Sequence, residues 1–390
     1  MRNWVLPEYI EDILPAEAQR IESMRREILD LLLVHGYQLV APPMLEFVES
    51  LTTGSGSDMN LRMFKVVDQL SGKMMGLRAD ITPQTARIDA HLLNCEGVTR
   101  LCYAGSVLHT VPTGLTSTRE PLQIGAEIYG HVGLESDLEI QRIMLQILAI
   151  SEIDKVRLDL GHVAVFRGLI RGAKIPANVE AGLFSAIQAK DIPTIQDLCS
   201  EFDKNINKKI GQALMLLPKL YGDKDILKKA RKYLPNYPEI IKGLDELEVV
   251  AAELKVPAGT LAFDLSDLRG YHYHNGMVFS AYANNHPNAI ALGGRYDDIG
   301  KVFGRARPAT GFSIDLRELS RIKKSPDPCS KGILAPYRKN DKALEKKITQ
   351  LRKNGRIVVV KLPMHGRGKD TYNCDKKLIL KDKAWKIINI

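Results

Sequence analysis

The sequence predicts an α+β fold in which an antiparallel sheet is flanked by helices. One observation is the alternation of apolar and polar residues in segments such as "MFKVVDQLSGKMMGLRADIT", which surrounds a Ser-Gly turn and predicts a hairpin. A second is that residues 177–254 carry Leu, Ala, Ile and Lys at helical spacing, which indicates a helical insertion. The third is a Pro- and Ser-containing linker, "KKSPDPCSKG", that precedes a short basic segment. We therefore expect a core over residues 1–324, interrupted by a helical insertion at 177–254, and a small basic α/β domain over residues 331–390.

The N-terminal part of the chain predicts three helices, one of them short, separated by strands. A first helix is indicated by apolar residues at helical spacing that end at His35-Gly36, namely Ile21, Met24, Ile28, Leu31 and Leu32. The segment "YQLVAPPMLEFVESL" predicts a strand that is broken by Pro42-Pro43 and then a short helix. After the hairpin, a helix is expected over residues 83–93, with Thr82 as its N-cap and Pro83 at its first helical position.

The remaining elements alternate in type. "VLHTVPTGLTSTREPLQIGAE", from Val107 to Glu127, predicts two strands joined by a loop rich in Thr, Ser, Gly and Pro. A helix over residues 135–151 and a strand at "KVRLDLGH" come next. Beyond the insertion we expect strands in "GTLAFDLSDLRGYHYHNGMVFSAYA" and "NAIALGGRYDDIG", and "GFSIDLRELSRI" as the helix that closes the core. The C-terminal segment predicts a strand at 333–336, a basic helix at 341–353, a strand at 356–362, a Gly-rich loop and a last pair of strands.

The composition is that of an ordinary globular protein. Of 390 residues, 45% are apolar and 26% charged, and no apolar run approaches the length needed to cross a membrane. Because "MRNWVLPEYI" lacks an apolar signal core, we expect a cytoplasmic protein. The five cysteines are far apart and form no C-x-x-C pair, which argues against zinc and against a disulfide framework.

The positive charge is concentrated at one end of the chain. The net charge is +9, but residues 321–390 hold 20 Lys and Arg against six Asp and Glu, a balance of +14, so the rest of the chain carries −5. A claim of nucleic-acid binding must therefore rest on the C-terminal segment alone. A solubilising surface of lysines explains the same excess, and we do not expect a nucleic-acid partner.

Several polar residues fall at the ends of predicted strands, around one possible pocket. Two carboxylates, one guanidinium and several amphipathic rings suit a zwitterionic amino acid with a polar side group. A carboxylate would take the α-ammonium, the arginine would take the α-carboxylate, and the other groups would bind the side chain. Taken singly, each residue is consistent with an ordinary structural role. The prediction of an amino-acid site depends on their occurring together. Its members are Asp80, Thr82, Gln123, Glu127, Arg269, Tyr273 and His274.

Other motifs point to no cofactor and no metal. Gly293-Gly294-Arg295 is not a G-x-G-x-x-G fingerprint, and no P-loop is present. No nucleophile–base–acid order follows from nine scattered histidines. "HGRGKD", at residues 365–370, has the composition of an anion-binding loop. Because most glycine-rich loops are simply flexible, we interpret it as a flexible basic loop.

Together, these motifs resemble the class II histidyl-tRNA synthetases. The resemblance extends from Pro7 to about Ile322 and rests on six segments in the family's order: "GYQLVAPPMLE", "LRADIT", "LQIGAEIYG", "LRGYHYHNGMVF", "ALGGRYDDI" and "GFSIDL". It implies the antiparallel sheet of the class II synthetase catalytic domain, flanked by helices. It also implies a homodimeric core, because the first segment resembles the signature with the dimer-interface proline.

The sequence departs from that family where ATP would bind. The Phe-Arg-x-Glu clamp of the synthetases is replaced at residues 108–111, which place His109 at the arginine and Val111 at the acid. The usually more basic loop that follows keeps only Arg119. In the third signature, Glu-Arg becomes Arg317-Glu318, so a carboxylate occupies the position of a phosphate-binding cation. Loss of bidentate arginines removes charge-assisted bonds and adds repulsion, which disfavours a triphosphate.

The amino-acid half of the family's site is retained. Asp80 is one methylene shorter than the family's glutamate, and His274 replaces a tyrosine; the other residues match, namely Thr82, Gln123, Glu127, Arg269 and Tyr273. This combination resembles the synthetase-like regulatory subunits of ATP phosphoribosyltransferase, which act in the first step of histidine biosynthesis. The resemblance implies no catalysis by the chain itself and a short-form catalytic subunit as partner. It also implies L-histidine as a feedback ligand, and a homodimer core within a hetero-oligomer.

Two alternatives remain open from the residues alone. A divergent synthetase-like ligase would need a substitute cation, for which Arg119, Arg295 and Arg317 are the candidates in the sequence. An RNA-binding paralogue would use the basic C-terminal segment, and its binding would weaken steeply with salt.

Overall fold

The chain folds into two compact units in the computed structural model, residues 1–324 and 325–390. The structure describes residues 4–53, 57–112, 114, 117–153, 155–201, 208–256, 259–271, 273–284, 286–323, 331–363 and 373–390. The loop at 365–370 and most of the linker after Lys323 lie outside these residues. No helix in the described ranges is long and apolar enough to span a membrane.

Helices and strands alternate in the N-terminal half of the first unit. The helices are α1 Pro15–Val34, α2 Val48–Thr52, α3 Ser57–Arg62, α4 Thr82–Arg87, α5 Leu134–Ile150 and α6 Val163–Gly172. A π-helical turn, Ile88–Leu93, continues α4. The strands are β1 Gln38–Leu39, β2 Leu45–Phe47, β3 Phe64–Val67, β4 Met74–Leu77, β5 Thr99–Ser106, β6 Leu122–Tyr129 and β7 Arg157–His162.

The C-terminal half of the first unit begins with a helical segment. Its helices are α7 Ala177–Gln188, α8 Ile192–Glu201, α9 Lys208–Leu216, α10 Asp225–Tyr233 and α11 Pro238–Glu253. Between α9 and α10, the two-residue strand β8, Tyr221–Gly222, pairs with β9 and ties this segment to the main sheet. The later elements are β9 Thr260–Asp264, β10 Met277–Tyr282, β11 Ala289–Arg295, β12 Ala309–Asp315 and α12 Leu316–Ile322.

A nine-stranded sheet, in the order β1-β5-β6-β12-β11-β10-β7-β9-β8, organises this unit. Its central pairs are antiparallel, whereas β1 with β5 and β7 with β9 are parallel. Apolar side chains of α1 and α5 pack against the sheet because their helical spacing places them on one face; Met24, Ile28, Leu32 and Met144 are each at most 2% exposed. A three-stranded sheet, β2-β4-β3, lies in the same unit. The α+β class predicted from the sequence is confirmed.

Three local predictions were wrong. "GFSIDLRELSRI" is strand β12 followed by the short helix α12, because alternating Phe312 and Ile314 are buried in the sheet while Asp315 caps the helix by accepting from the amide of Arg317 at 3.0 Å. Thr82 is the first residue of α4 rather than its N-cap, and its hydroxyl group bonds to another side chain of the site. A strand was expected to begin at Val107, but strand β5 lies before that residue and ends at Ser106.

The second unit is a four-stranded sheet with one helix. The chain runs through β13 Gly332–Ala335, α13 Lys342–Lys353, β14 Val358–Val360, β15 Cys374–Lys381 and β16 Ala384–Asn389, in the sheet order β14-β13-β15-β16. Asp341 caps α13 by accepting from the amide of Leu344 at 2.8 Å. The core contains apolar residues from the sheet and the helix, among them Ile333, Leu344, Leu378 and Trp385.

Candidate functional site

A cleft of about 410 Å³ opens on the nine-stranded sheet. It lies over the central strands β6, β12, β11 and β10, and the segments around residues 79–82, 107–109 and 267–274 complete its walls. The structure places all seven residues singled out from the sequence on this one cleft, although nearly 200 residues of chain separate Asp80 from His274.

Asp80 and Gln123 form one polar corner of the cleft. The Gln123 amide nitrogen donates to Asp80 Oδ1 at 2.8 Å, and its oxygen accepts from the backbone amide of Ile81 at 2.9 Å. The backbone amide of Thr82 also donates to Asp80 Oδ1, at 3.1 Å. These bonds hold the Asp80 carboxylate in one orientation, with its other oxygen available to a ligand cation.

Glu127 is the most buried carboxyl group of the cleft, at 1% exposure. It accepts from Thr82 Oγ1 and from the Tyr103 hydroxyl, each at 3.1 Å, and from the hydroxyl of Tyr296. Burial raises the pKa of Glu127 to about 8, against the effect of these donors, so in the empty cleft the carboxyl is protonated at neutral pH.

Gly311 on β12 faces Glu127 across the sheet, as the register of β6 and β12 requires. A Cβ atom at residue 311 would lie 1.4 Å from Glu127 Oε2. Only glycine therefore leaves room for this carboxyl group.

Three aromatic rings surround the Glu127 end of the cleft. Tyr273 stacks on His274 with ring centroids 4.3 Å apart, and Tyr296 meets the two rings edge-on at 6.4 and 6.1 Å. Burial lowers the pKa of His274 to about 4, so this ring is neutral. Its Nδ1 donates to the carbonyl of Arg295 at 3.1 Å, which leaves Nε2 as an acceptor. His272, beside this pair in sequence, lies outside the described residues.

Arg269 lines the cleft but already has an acidic partner. Its Nε and Nη2 donate to the two oxygens of Asp267 at 2.9 and 2.6 Å, and Nη2 also reaches the Tyr282 hydroxyl at 3.1 Å. The charge of Asp267, at 8% side-chain exposure, offsets that of Arg269. Truncation of Arg269 would leave a buried carboxylate unpaired.

The opposite end of the cleft is acidic. Glu318, at the position of the family's phosphate-binding arginine, lines it together with Asp315. Burial and the neighbouring Glu318 charge raise the pKa of Asp315 to about 6. His109 is 5% exposed and donates through Nε2 to the carbonyl of Ala79 at 2.9 Å, while Val111 is exposed and does not line the cleft.

The three arginines considered as substitute cations do not line the cleft. Arg119 donates to the backbone carbonyl of His109 at 3.1 Å and lies over the ring of Phe64. Arg295 is buried against Asp137 at 2.7 Å, and Arg317 donates to Thr118 Oγ1 at 3.3 Å.

Sequence reasoning missed Arg62, Tyr296 and Gly311. Tyr296 lies in the quoted segment "ALGGRYDDI", but nothing in one sequence says that its hydroxyl reaches β6. Arg62 ends a short helix just before the predicted hairpin, and no local signal assigns it to the cleft.

Comparisons with known proteins identify the family of the chain. A model of the histidyl-tRNA synthetase family matches residues 9–319, and a model of the C-terminal domain of the ATP phosphoribosyltransferase subunit HisZ matches residues 330–388. A protein of Nitrosospira multiformis named ATP phosphoribosyltransferase regulatory subunit is 65% identical over 99% of this chain and 98% of its own. Proteins of the same name from Nitrosomonas eutropha and Paraburkholderia phymatum are 59% and 52% identical, over at least 98% of each chain. The chain belongs to the family of ATP phosphoribosyltransferase regulatory subunits.

Solved structures show the same fold at lower identity. A Bacillus halodurans protein described as an ATP phosphoribosyltransferase regulatory subunit/histidyl-tRNA synthetase superposes with a TM-score of 0.80 at 24% identity, over 93% of both chains. The histidyl-tRNA synthetase of a Nostoc species superposes with a TM-score of 0.77 at 22% identity, over 97% of this chain and 92% of its own. This regulatory-subunit family thus has the class II synthetase fold.

Proposed function

We propose that this chain activates a short-form ATP phosphoribosyltransferase catalytic subunit and transmits feedback inhibition by L-histidine, without catalysis of its own. Support for the regulatory role comes from full-length relatives that are named regulatory subunits. The ligand assignment rests on the cleft. One end contains the residues expected to bind the amino acid, and the other end, where the synthetases would bind the nucleotide, is acidic.

Histidine fits the retained end in one orientation. Its α-ammonium group is placed at Asp80 and Gln123, and its imidazole ring lies among Tyr273, His274 and Tyr296. There the ring N–H group of neutral histidine can donate to Glu127 Oε or to His274 Nε2, a hydrogen bond that a purely apolar side chain cannot supply. The site thereby distinguishes histidine from aliphatic amino acids.

Activation of histidine with ATP is disfavoured at the same cleft. Five carboxyl groups line it in the described part of the chain, Asp80, Glu127, Asp267, Asp315 and Glu318, against the guanidinium groups of Arg62 and Arg269. A triphosphate brought to the end formed by Asp315 and Glu318 meets like charge where the synthetases supply arginine. The fold therefore serves recognition of the amino acid and not its adenylation.

The proposed assembly contains a homodimer of this chain. Supporting it are exposed apolar side chains at the end of α1, Leu33 at 66% and Val34 at 80%, and Leu39 at 60% on β1. Leu39 lies within the segment that resembles the family's dimer signature, and the other two lie just before it. The catalytic subunits would complete a hetero-oligomer.

A reconstitution assay tests this function. The purified chain is mixed with the short-form catalytic subunit from the same organism, and phosphoribosyl-ATP formation is followed with and without histidine. We expect stimulation by the chain and its reversal by histidine. ATP–pyrophosphate exchange with histidine should be absent; measurable exchange, or a catalytic subunit whose rate and assembly are unaffected, would contradict the proposal.

A further inference from the structure

Arg62 is held at the cleft by residues of the altered ATP clamp. The backbone amide of Thr110 donates to the carbonyl of Arg62 at 2.9 Å, and the Thr110 hydroxyl donates to the carbonyl of Leu61 at 2.7 Å. These two bonds attach the end of α3 to the segment that follows β5. The chain thereby brings an arginine from a distant element to residues 109 and 110.

The side chain of Arg62 is oriented by the ring of His109. Arg62 Nη2 lies 3.2 Å from Nε2 and 3.4 Å from Nδ1 of His109. Because Nε2 donates to the Ala79 carbonyl, Nδ1 is the ring nitrogen that can accept from Arg62. Burial and then the Arg62 charge lower the pKa of His109, which keeps the ring neutral and able to accept. His109 occupies the position of the synthetase arginine. The guanidinium group of Arg62, which contacts the ring of this histidine, therefore takes the place of the lost guanidinium group.

Arg62 differs from Arg269 in its electrostatic state. Arg269 is paired with Asp267 through both oxygens, whereas no ion pair of Arg62 occurs among the side chains that the structure describes. The charge of Arg62 also reaches the amino-acid end of the cleft. Burial raises the pKa of Tyr273, and the positive charge of Arg62 partly lowers it. Among the described residues of the cleft, Arg62 is therefore the cation whose charge can bind an anionic group of a ligand.

We propose that Arg62, positioned by His109, binds the α-carboxylate of the amino-acid ligand and thereby sets the specificity of the cleft for a free carboxylate. This inference rests on the proposed histidine site and assigns one of its contacts. A singly charged carboxylate fits better than a phosphate, because Asp315 and Glu318 line the same cleft and repel a more highly charged anion. Arg269 then has a structural role, as the partner of Asp267.

Calorimetric titration of the full-length chain with two ligands tests the assignment. L-Histidine carries the carboxylate, and L-histidinol has a hydroxymethyl group in its place. Wild-type protein is compared with Arg62→Gln, which removes the charge, and with Arg62→Lys, which keeps it. Arg26→Gln, at an exposed arginine of α1 paired with Glu22, is the matched control.

Arg62→Gln should weaken histidine binding by about tenfold or more, the effect of one charge-assisted bond, and leave histidinol binding unchanged. Arg62→Lys should retain part of the preference for histidine, and Arg26→Gln all of it. A His109→Phe variant should reduce the same preference, because Arg62 loses its support.

Each contrary outcome has a distinct meaning. If wild-type protein binds histidine and Arg62→Gln binds it equally well, or loses both ligands to the same extent, the Arg62 assignment is overturned while the proposed function stands. If wild-type protein binds no histidine, the proposed histidine response fails, and the carboxylate subsite fails with it.

Discussion

At the scale of single residues, the cleft combines groups whose ionisation depends on burial. Glu127 has a pKa of about 8 and His274 one of about 4, so at neutral pH both are uncharged in the empty cleft. In the proposed complex, these two groups would offer hydrogen bonds to the side chain of the ligand, while Asp80 and Arg62 would bind its ammonium and carboxylate groups. This division suits a zwitterion with a polar ring.

The pKa of Glu127 predicts a pH dependence of histidine binding. Ligand N–H donors stabilise the ionised carboxylate, so binding lowers this pKa below about 8 and releases a proton. The Glu127 contribution should therefore make affinity rise from neutral pH to about 8 and level off above it. Calorimetry across this range, compared with Glu127→Gln, measures the effect. Parallel pH profiles for the two proteins would contradict it.

The space beside Glu127 predicts the effect of a single methyl group. Gly311→Ala would place Cβ 1.4 Å from Glu127 Oε2, which accepts from the Tyr296 hydroxyl, so the carboxyl group must move and this bond is disrupted together with those of Oε1 to Thr82 and Tyr103. Because the whole carboxyl group is displaced, we expect histidine affinity to fall by at least about tenfold, with a loss of stability of about 1–3 kcal/mol from overpacking. The control is Gly97→Ala, whose Cβ would meet nothing within 4 Å. Equal affinity of both variants would show that Glu127 does not contact the ligand.

At the scale of elements, the position of Thr82 depends on the π-helical turn that continues α4. Asp89 in this turn is 1% exposed and accepts from Arg307 Nη1 at 2.7 and 3.0 Å. Arg307 lies just before β12, the strand that carries Gly311. One buried ion pair therefore connects the helix that supplies Thr82 with the strand that makes room for Glu127.

Removal of one partner of this pair should destabilise the first unit. Arg307→Met leaves Asp89 buried and unpaired, which corresponds to a loss of about 3–5 kcal/mol in the free energy of unfolding. Urea denaturation measures this loss. The double variant Asp89→Asn/Arg307→Met should recover much of it, because no unpaired charge remains. A single variant as stable as wild type would contradict the connection.

Local patterns predicted most of the elements but only part of the site. Helix α1 and the hairpin of β3 and β4 follow from apolar spacing over a few residues. Thr82 was predicted as a cap because the local signal before Pro83 is that of a cap; its hydroxyl instead bonds to Glu127, 45 residues away in the chain. Arg62 was missed for the same reason, since its place depends on bonds to residues 109 and 110. Contacts that are distant in sequence leave no periodic signal.

At the scale of the whole molecule, the proposed function uses a synthetase fold to bind an amino acid without activating it. Regulation through such a site is a coupling free energy between histidine and the catalytic subunit, and it is reciprocal: histidine changes the free energy of assembly as much as assembly changes that of histidine binding. Histidine must therefore bind the active and inhibited complexes with different affinity. The cleft is where this difference is expected to arise.

The measurement that tests this central claim most directly is inhibition of the reconstituted ATP phosphoribosyltransferase by histidine, with wild-type chain and with Gly311→Ala. Each complex is normalised to its own rate without histidine. We expect the inhibition curve of the variant to move to at least about tenfold higher histidine concentration, in parallel with its loss of affinity. Identical curves for the two complexes, with histidine binding to the isolated variant lost, would show that inhibitory histidine acts at another site.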